Sequence, residues 1–293
     1  MNASDLQTCL RNPPLEAWSA PKKGQIIWAC TSFCGGNGDR IRGIISTFAL
    51  ALCLGTDFKM IWTHPINHNQ LFAYPITTLK TAVSINLIDK NIPLNKDWSA
   101  VMQKNGILQI FTNARPHVTK EMKSKIFHML LRPKSVITSL FSSVPNGCKV
   151  CLHIRTGDSE MNVGRAKKNN DLQLMQLAHA YNRQMINASM NVLSRICTFT
   201  DSMTMKKRLH DDKRFWFSSF EPIHTDRTRS LKLNDVALTW AEMFAMATCE
   251  VLVKSSSGFS DIAVSLANMS QIEDYVFAIQ PNTNPLQLRS IFT

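Results

Sequence analysis

The 293-residue chain has no run of 18 or more apolar residues, so no membrane-spanning helix is predicted. Residues 1–23 are polar and contain prolines, and they lack the apolar core of a secretory signal peptide. We therefore expect a soluble protein of the cytoplasm, or one whose membrane anchor lies outside this sequence. Hydrophobic residues make up 44% of the composition, which supports a sizeable core and excludes an intrinsically disordered chain.

Two phosphate-binding motifs are also missing. The chain has neither the phosphate loop that ends in Lys-Ser/Thr nor the spaced glycines of the dinucleotide fingerprint. Their absence argues against a phosphate-loop kinase or a dinucleotide-dependent enzyme. No RNA-binding signature or zinc finger accompanies the basic residues.

Acidic residues are fewer than basic ones, 21 against 33, and the formal net charge is +12. Such a charge suits nucleic acid, an anionic surface or a phosphorylated small molecule as partner. The basic residues cluster at 165–168 and 206–208, and a solvated face explains each cluster without any ligand. A non-catalytic protein that binds nucleic acid or an anionic glycan is the alternative, and it predicts salt-sensitive binding through these clusters.

The eight cysteines are spread along the chain, and several lie in apolar strand or helix patterns. Free cysteine in such a pattern behaves as a small hydrophobic residue. Cys148 and Cys151 form a C-x-x-C, but no second pair of cysteines or histidines completes a zinc site. We therefore expect buried thiols rather than a metal.

Strands and helices alternate along the chain, which predicts an α/β fold with doubly wound parallel sheets. The pattern predicts a strand, a glycine loop, a helix and a strand over residues 26–62 and, after a turn at 145–147, a more regular alternation. The predicted strands are 26–31, 58–62, 107–111, 150–155, 196–200, 215–218, 251–254 and 275–279, and the predicted helices are 41–54, 118–131, 172–193, 202–209, 234–248 and 258–267. We expect an N-terminal domain over 1–146, a C-terminal domain over 147–281 and a tail, 282–293, that packs back on the first domain.

Polar clusters follow three predicted strands of the second half, at 153–158, 200–202 and 254–258. Because ligands of parallel α/β sheets collect at the carboxyl ends of the strands, these clusters are expected to share one site. Arg155 offers a planar fork of donors for phosphate, and the serines that precede the helix at 258 offer hydroxyl and backbone N–H groups. Ordinary helix capping by Ser256 or Ser257, and by Ser202 or Asp201, explains the same residues without a ligand.

The glycine loop of the first half permits a tight turn and the close approach of a ligand. Gly36-Asn37-Gly38 forms this loop, and Asp39 and Arg40 open the helix that follows. A nucleotide held between the two domains would use both this loop and the strand ends of the second half.

Three segments, taken in order, resemble motifs of the GT-B fucosyltransferase superfamily. They are Gly36-Asn37-Gly38-Asp39-Arg40-Ile41-Arg42-Gly43-Ile44, His153-Ile154-Arg155-Thr156-Gly157-Asp158 and Ser256-Ser257-Gly258-Phe259-Ser260. The resemblance implies two Rossmann-like domains whose parallel sheets face each other across a cleft. It also implies an inverting transfer of a sugar from a nucleotide sugar to a glycan hydroxyl, with no metal or other cofactor. In keeping with this, the chain has no Asp-x-Asp; the nearest sequence is Asp158-Ser159-Glu160.

The resemblance also implies that Arg155 would contact the donor diphosphate and help it depart. Independently of the resemblance, an inverting displacement needs a base for the acceptor hydroxyl, and Asp158, Asp39 and Glu160 are the candidates. A turn or cap role also explains Asp39 and Asp158. The expected donor-binding residues are Gly36, Asn37, Gly38, Arg40, His153, Asp201, Ser202, Ser255, Ser256, Ser257, Gly258, Phe259 and Ser260. Many α1,6-type members carry a second arginine where this chain has Thr156, so the donor stays open between GDP-fucose and a UDP-sugar such as UDP-xylose.

Overall fold

The structure is a computed structural model that describes residues 2–19, 22–31, 34–73, 83–87, 91–113, 116–141, 149–155, 175, 178–179, 196–217, 231–249, 251–255, 257–267 and 274–276. These residues form a four-stranded and a five-stranded sheet, and every strand pairing in them is parallel. The predicted α/β class with parallel sheets is confirmed.

The first sheet has the strand order β2-β1-β4-β3. Its strands are β1 Gln25–Cys30, β2 Asp57–Trp62, β3 Val83–Leu87 and β4 Ile107–Thr112. The central strand β1 is buried from Ile26 to Cys30, because helices cover both faces of a parallel sheet. The edge strand β3 is mostly exposed, and its weak apolar pattern explains why the sequence did not predict it.

The helices of the first half are α1 Ala3–Arg11, α2 Asn37–Cys53, α3 His68–Leu71, α4 Trp98–Asn105, α5 Lys120–Leu130 and α6 Ser135–Phe141, with a short 3-10 helix at Leu15–Ser19. The sequence predicted α2 and α5 but not α1, α3, α4 or α6. Helix α1 buries only Leu6 and Leu10, one narrow stripe on an otherwise polar segment. Short helices with so little apolar surface carry a weak periodic signal.

The second sheet has the strand order β7-β6-β5-β8-β9. Its strands are β5 Val150–Ile154, β6 Ile196–Thr200, β7 Phe215–Phe217, β8 Val251–Lys254 and β9 Asp274–Val276, and its helices are α7 Met203–Leu209, α8 Leu233–Ala247 and α9 Gly258–Leu266. Asn234 was predicted to cap α8, but Lys232 is the cap residue and its N–H donates to Asp235 at 3.0 Å. Most of the predicted helix at 172–193 lies outside the described residues.

The largest cluster of buried apolar residues spans both halves. The indole of Trp240, on α8, packs in an aromatic cluster with Trp62, Phe72 and Phe127 of the first half, at ring-centroid distances of 5.9, 4.8 and 6.4 Å. The predicted boundary at 145–147 and the tail at 282–293 lie outside the described residues, so the domain limits stay a prediction. None of the helices in the described residues has the length and apolarity needed to cross a membrane.

The expectation of buried free thiols is wrong. Disulfides join Cys9 to Cys53, Cys30 to Cys34 and Cys151 to Cys249, and Cys197 is disulfide-bonded as well. In each of the three pairs the Cα atoms lie 5.9 Å apart, within the range of ordinary disulfides. Sequence spacing could not show these pairings, because they join residues up to 98 positions apart.

Candidate functional site

The described residues of the three predicted polar clusters lie at one edge of the second sheet. Strand β5 is hydrogen-bonded to β6 on one side and to β8 on the other, and all three run in the same direction. His153 therefore lies between Phe199 and Lys254 in the register, and the residues that follow each strand come together. The expectation that these strand ends share an edge is confirmed.

Arg155 lies at the centre of this edge and is held at its backbone. Its N–H donates to Ser255 Oγ at 2.7 Å, and the Ser255 N–H donates to the His153 carbonyl at 2.9 Å. Arg155 Nε lies 3.7 Å from Asp201 Oδ2, while 38% of the arginine side chain stays exposed. The guanidinium is thus oriented by a carboxylate and still accessible to an anionic ligand.

His153 is a buried, neutral histidine directly beside this arginine. Its side chain packs beside Phe259, with ring centroids 5.9 Å apart, and its Nδ1 has no hydrogen-bond partner among the described residues. Burial, reinforced by the positive charges of Arg155 and Lys254, lowers its pKa to about 3. At neutral pH this imidazole carries no charge and can form a hydrogen bond with a ligand.

The serine segment caps helix α9. Ser257 Oγ accepts the Phe259 N–H at 3.2 Å, and Ser260 Oγ donates to the Ser257 carbonyl at 3.2 Å. Behind it, the buried Lys254 ammonium donates to Asp261 at 2.7 Å. Capping by Ser257 therefore explains one of the serines that precede α9 without a ligand. The predicted phosphate contacts of Ser257 and Ser260 stay a prediction.

Ser202, and not Asp201, caps the helix that follows β6. Ser202 Oγ accepts the Met205 N–H at 3.1 Å, which leaves the Asp201 carboxylate turned towards Arg155. The sequence offered both Ser202 and Asp201 as caps of this helix, and the Ser202 cap is confirmed. The predicted contact of Asp201 with a nucleotide base stays a prediction.

The glycine loop begins helix α2. Gly35 has φ +79°, which only glycine adopts without strain, and the Gly36 N–H donates to Asp39 Oδ2 at 3.1 Å. Asp39 also forms an ion pair with Arg42. Both carboxylate oxygens of this predicted catalytic base therefore have partners at the start of α2. A role in proton transfer would require these contacts to break.

Asn37, Gly38 and Arg40, all predicted to bind donor, lie where the two halves meet. Asn37 Nδ2 donates to Thr239 Oγ1 of α8 at 2.8 Å, and Arg40 is fully buried with its guanidinium 5.7 Å from the Trp62 ring centroid. A Cβ atom on Gly38 would lie 2.6 Å from the carbonyl oxygen of Gly258. The contacts of Asn37 and Gly38 join the halves, whereas Arg40 packs on Trp62 within the first half. Sequence reasoning missed the role of Asn37 because it depends on Thr239, about 200 residues away.

The polar clusters and the glycine loop form one continuous group of contacts. Gly38 touches Gly258 at the start of α9, and Ser255, just before that helix, bonds to Arg155. Asp158, Glu160 and Ser256 lie outside the described residues. The sequence analysis assigned no role to two further contributors, Lys254, which stands in the third polar cluster, and Arg42, which stands in the first of the three quoted segments.

Among the described side chains, no three from histidine, cysteine, aspartate and glutamate converge as a metal site. The predicted metal independence depends on the departing diphosphate being stabilised by Arg155 and the helix N-terminus, and it is not tested by this observation.

Comparison with known proteins identifies the fold. No protein-family model matches the chain, and no curated protein matches it either.

Solved structures do match it. Fucosyltransferase NodZ from Bradyrhizobium is 14% identical with a TM-score of 0.52, over 83% of this chain and 93% of that one. A mutant of Arabidopsis thaliana FUT1 in complex with GDP is 13% identical with a TM-score of 0.54, over 93% of this chain and 75% of that one. POFUT1 in complex with GDP-fucose is 11% identical with a TM-score of 0.54, over 89% and 99%.

These matches span most of both chains, although the sequences are only 11–14% identical. The chain therefore has the fold of the GT-B fucosyltransferases.

Proposed function

We propose that this protein is a glycosyltransferase that moves a sugar from a nucleoside diphosphate sugar to a hydroxyl group of a glycan. The observation that carries the proposal is the accessible Arg155 guanidinium at the carboxyl edge of a parallel sheet, beside Asp201, neutral His153 and the N-terminus of α9. The solved structures with this fold include complexes with GDP and with GDP-fucose. GDP-fucose is therefore the first donor to test, with UDP-xylose as the alternative.

The reaction is an inverting displacement. The acceptor hydroxyl oxygen attacks the anomeric carbon of the donor, and the bond from that carbon to the β-phosphate oxygen breaks. Negative charge grows on the departing diphosphate, where Arg155 and the positive end of the α9 helix dipole are suited to stabilise it. The acceptor proton passes to a carboxylate, for which Asp158 and Asp39 are the candidates. No metal takes part in this scheme.

The nucleotide would lie between the halves of the molecule, in the cleft expected for this fold. His153, uncharged at neutral pH, suits a hydrogen bond to the nucleotide rather than proton transfer. Support for this arrangement comes from the contact between Gly38 and Gly258, which brings the glycine loop against the serine segment.

Substitution of Arg155 tests the proposal. We expect Arg155→Ala to fold normally and to lose about 100- to 1,000-fold in kcat, because one preorganised positive donor at the leaving group is removed. Arg11→Ala is the matched control, since Arg11 is exposed on α1 and makes no contact with the site residues described above. Wild-type turnover by Arg155→Ala would reject the assignment.

A thermal-shift panel identifies the donor. A nucleotide that binds the native state raises the melting temperature by mass action. We expect GDP and GDP-fucose to stabilise the protein and UDP, UDP-xylose and UDP-glucose to have little effect. Stabilisation by UDP compounds alone would reject GDP-fucose as the donor. If no nucleotide stabilises the protein and it instead shows salt-sensitive binding to nucleic acid, the transferase assignment is rejected.

Transferase activity in the presence of EDTA tests metal independence. We expect the activity to survive, and its loss would reject metal independence.

A further inference from the structure

The Cys30–Cys34 disulfide lies at the junction between the first sheet and the glycine loop. Cys30 is the last residue of β1, Cys34 directly precedes Gly35, and both side chains are buried. The crosslink thus ties the carboxyl end of the central strand to the residue from which the loop departs.

The sheet side of this crosslink is firmly held. The Cys30 carbonyl accepts the Thr63 N–H at 3.0 Å, and the Cys30 sulfur lies 3.9 Å from the His64 carbonyl oxygen. The His64 carbonyl also accepts Trp62 Nε1–H at 2.8 Å. Cys30 is therefore anchored to the end of β2 as well as to its own strand.

The loop side leads directly to the start of α9. Gly35 adopts φ +79°, Gly36 N–H donates to Asp39, and Asp39 pairs with Arg42. A Cβ atom on Gly258 would lie 3.3 Å from the Arg42 guanidinium. A continuous series of contacts thus runs from the disulfide, through the glycine loop, to the helix N-terminus that faces the expected donor.

We propose that the Cys30–Cys34 disulfide is a positioning element for the donor, which holds the glycine loop in the conformation that receives the diphosphate. This inference rests on the proposed function. The entropic stabilisation from a crosslink grows with the length of the loop that it closes. The spacing here is 4 residues, against 44 for Cys9–Cys53 and 98 for Cys151–Cys249, so this crosslink adds the least of the three to global stability. Its effect is local: it reduces the conformational freedom that the loop would otherwise lose on binding.

The test compares two disulfides that flank the same helix. C30A/C34A is expected to raise the Kd for GDP about tenfold, as when only a tenth of the molecules hold the binding-competent loop. The KM for donor should rise by a similar factor, while kcat at saturating donor changes by less than about threefold. C9A/C53A is the control: Cys53 ends α2, about 24 Å along the helix from Asn37. It should lower the melting temperature more and leave the Kd for GDP within about twofold.

The outcomes separate this proposal from the proposed function. Unchanged Kd and KM in C30A/C34A, with normal binding by the wild type, would overturn the positioning role alone. Equal weakening in both double variants would also overturn it, because general destabilisation would then explain the loss. A wild-type protein that binds neither GDP nor UDP refutes the proposed function and this inference together.

Gly35→Ala is a second variant that keeps every disulfide intact. An added Cβ would lie 2.5 Å from Asp39 Oδ2 at a residue with positive φ, so the loop must change conformation. We expect a loss of GDP affinity similar to that of C30A/C34A. If C30A/C34A does not fold, native affinity in a folded Gly35→Ala protein overturns the proposal.

Discussion

His153 illustrates how single residues at the site are set by their surroundings. It is only 5% exposed, and it lies beside Arg155 and the buried Lys254 ammonium. Burial and the two positive charges all oppose a third positive charge, which is why its pKa falls to about 3. Histidine is the residue most often used to transfer protons near neutral pH, but this histidine is held in its neutral form throughout that range.

The pH dependence of stability should report this burial. The pKa of His153 is about 3 in the folded protein and near 6.5 when unfolded, so between these values the unfolded chain binds one more proton. The free energy of unfolding should therefore fall by about 1.4 kcal/mol per pH unit from this residue as the pH drops from about 6 to about 4. Denaturant unfolding at several pH values measures the slope, and His153→Asn should remove this part of it.

His210 provides the comparison for that experiment, because its side chain is 84% exposed. His210→Asn is expected to keep the wild-type slope. An unchanged slope in His153→Asn would show that His153 is not held neutral by burial.

At the scale of elements, the contact between α2 and α9 joins the halves at the candidate site. The two helix N-termini meet at Gly38 and Gly258, where no side chain separates the backbones. Asn37 extends this contact to Thr239 of α8. The same two segments carry the motifs by which the chain resembles fucosyltransferases, so part of each motif serves helix packing.

Gly38→Ala tests this contact. The added methyl group would lie 2.6 Å from the Gly258 carbonyl oxygen and 2.7 Å from the Phe259 nitrogen. Because both are backbone atoms, they cannot move aside as the end of a flexible side chain could. We expect the free energy of unfolding to fall by about 1–3 kcal/mol, as in other overpacked sites. Gly36→Ala is the matched control, since a Cβ there would meet nothing within 4 Å. Equal stability of the two variants, measured by denaturant unfolding, would contradict the close crossing.

For the molecule as a whole, the disulfides bear on the redox state of the compartment in which the protein folds. The polar amino terminus led us to expect a cytoplasmic protein. Crosslinks at Cys9–Cys53, Cys30–Cys34 and Cys151–Cys249 are instead typical of proteins that fold in an oxidising compartment. Expression in a reducing cytoplasm is therefore expected to give a less stable product.

The longest crosslink should contribute most to stability. Cys151–Cys249 joins β5 to the segment before β8 and closes 98 residues. C151A/C249A is expected to lower the free energy of unfolding by about 2–5 kcal/mol, because the unfolded chain regains its freedom. Calorimetry of the oxidised wild type and the variant measures the loss. Equal melting temperatures, or free thiols at both positions in the alkylated wild-type protein, would contradict the crosslink.

Local sequence patterns were sufficient to predict strands β1, β2 and β4, the strands of the second sheet, helices α2, α5, α7, α8 and α9, and the shared edge of His153, Arg155, Asp201 and Ser257. The strands and helices are encoded locally, by apolar runs that end in polar residues. The shared edge follows because parallel α/β sheets bind ligands at the carboxyl ends of their strands. Helix α1 and strand β3 were not predicted, because their stability comes from packing and edge pairing rather than from a strong local pattern.

The folded structure was needed to show which cysteines pair, that Asn37 hydrogen-bonds to Thr239, that Gly38 lies against Gly258, and that Ser202 rather than Asp201 caps α7. The first three depend on which distant segments come into contact, and a periodic pattern along the chain contains no information about that. The choice between Ser202 and Asp201 depends on backbone conformation at a single turn. Residue types therefore indicated an anion site, while the positions and partners of its side chains depended on how the two halves pack.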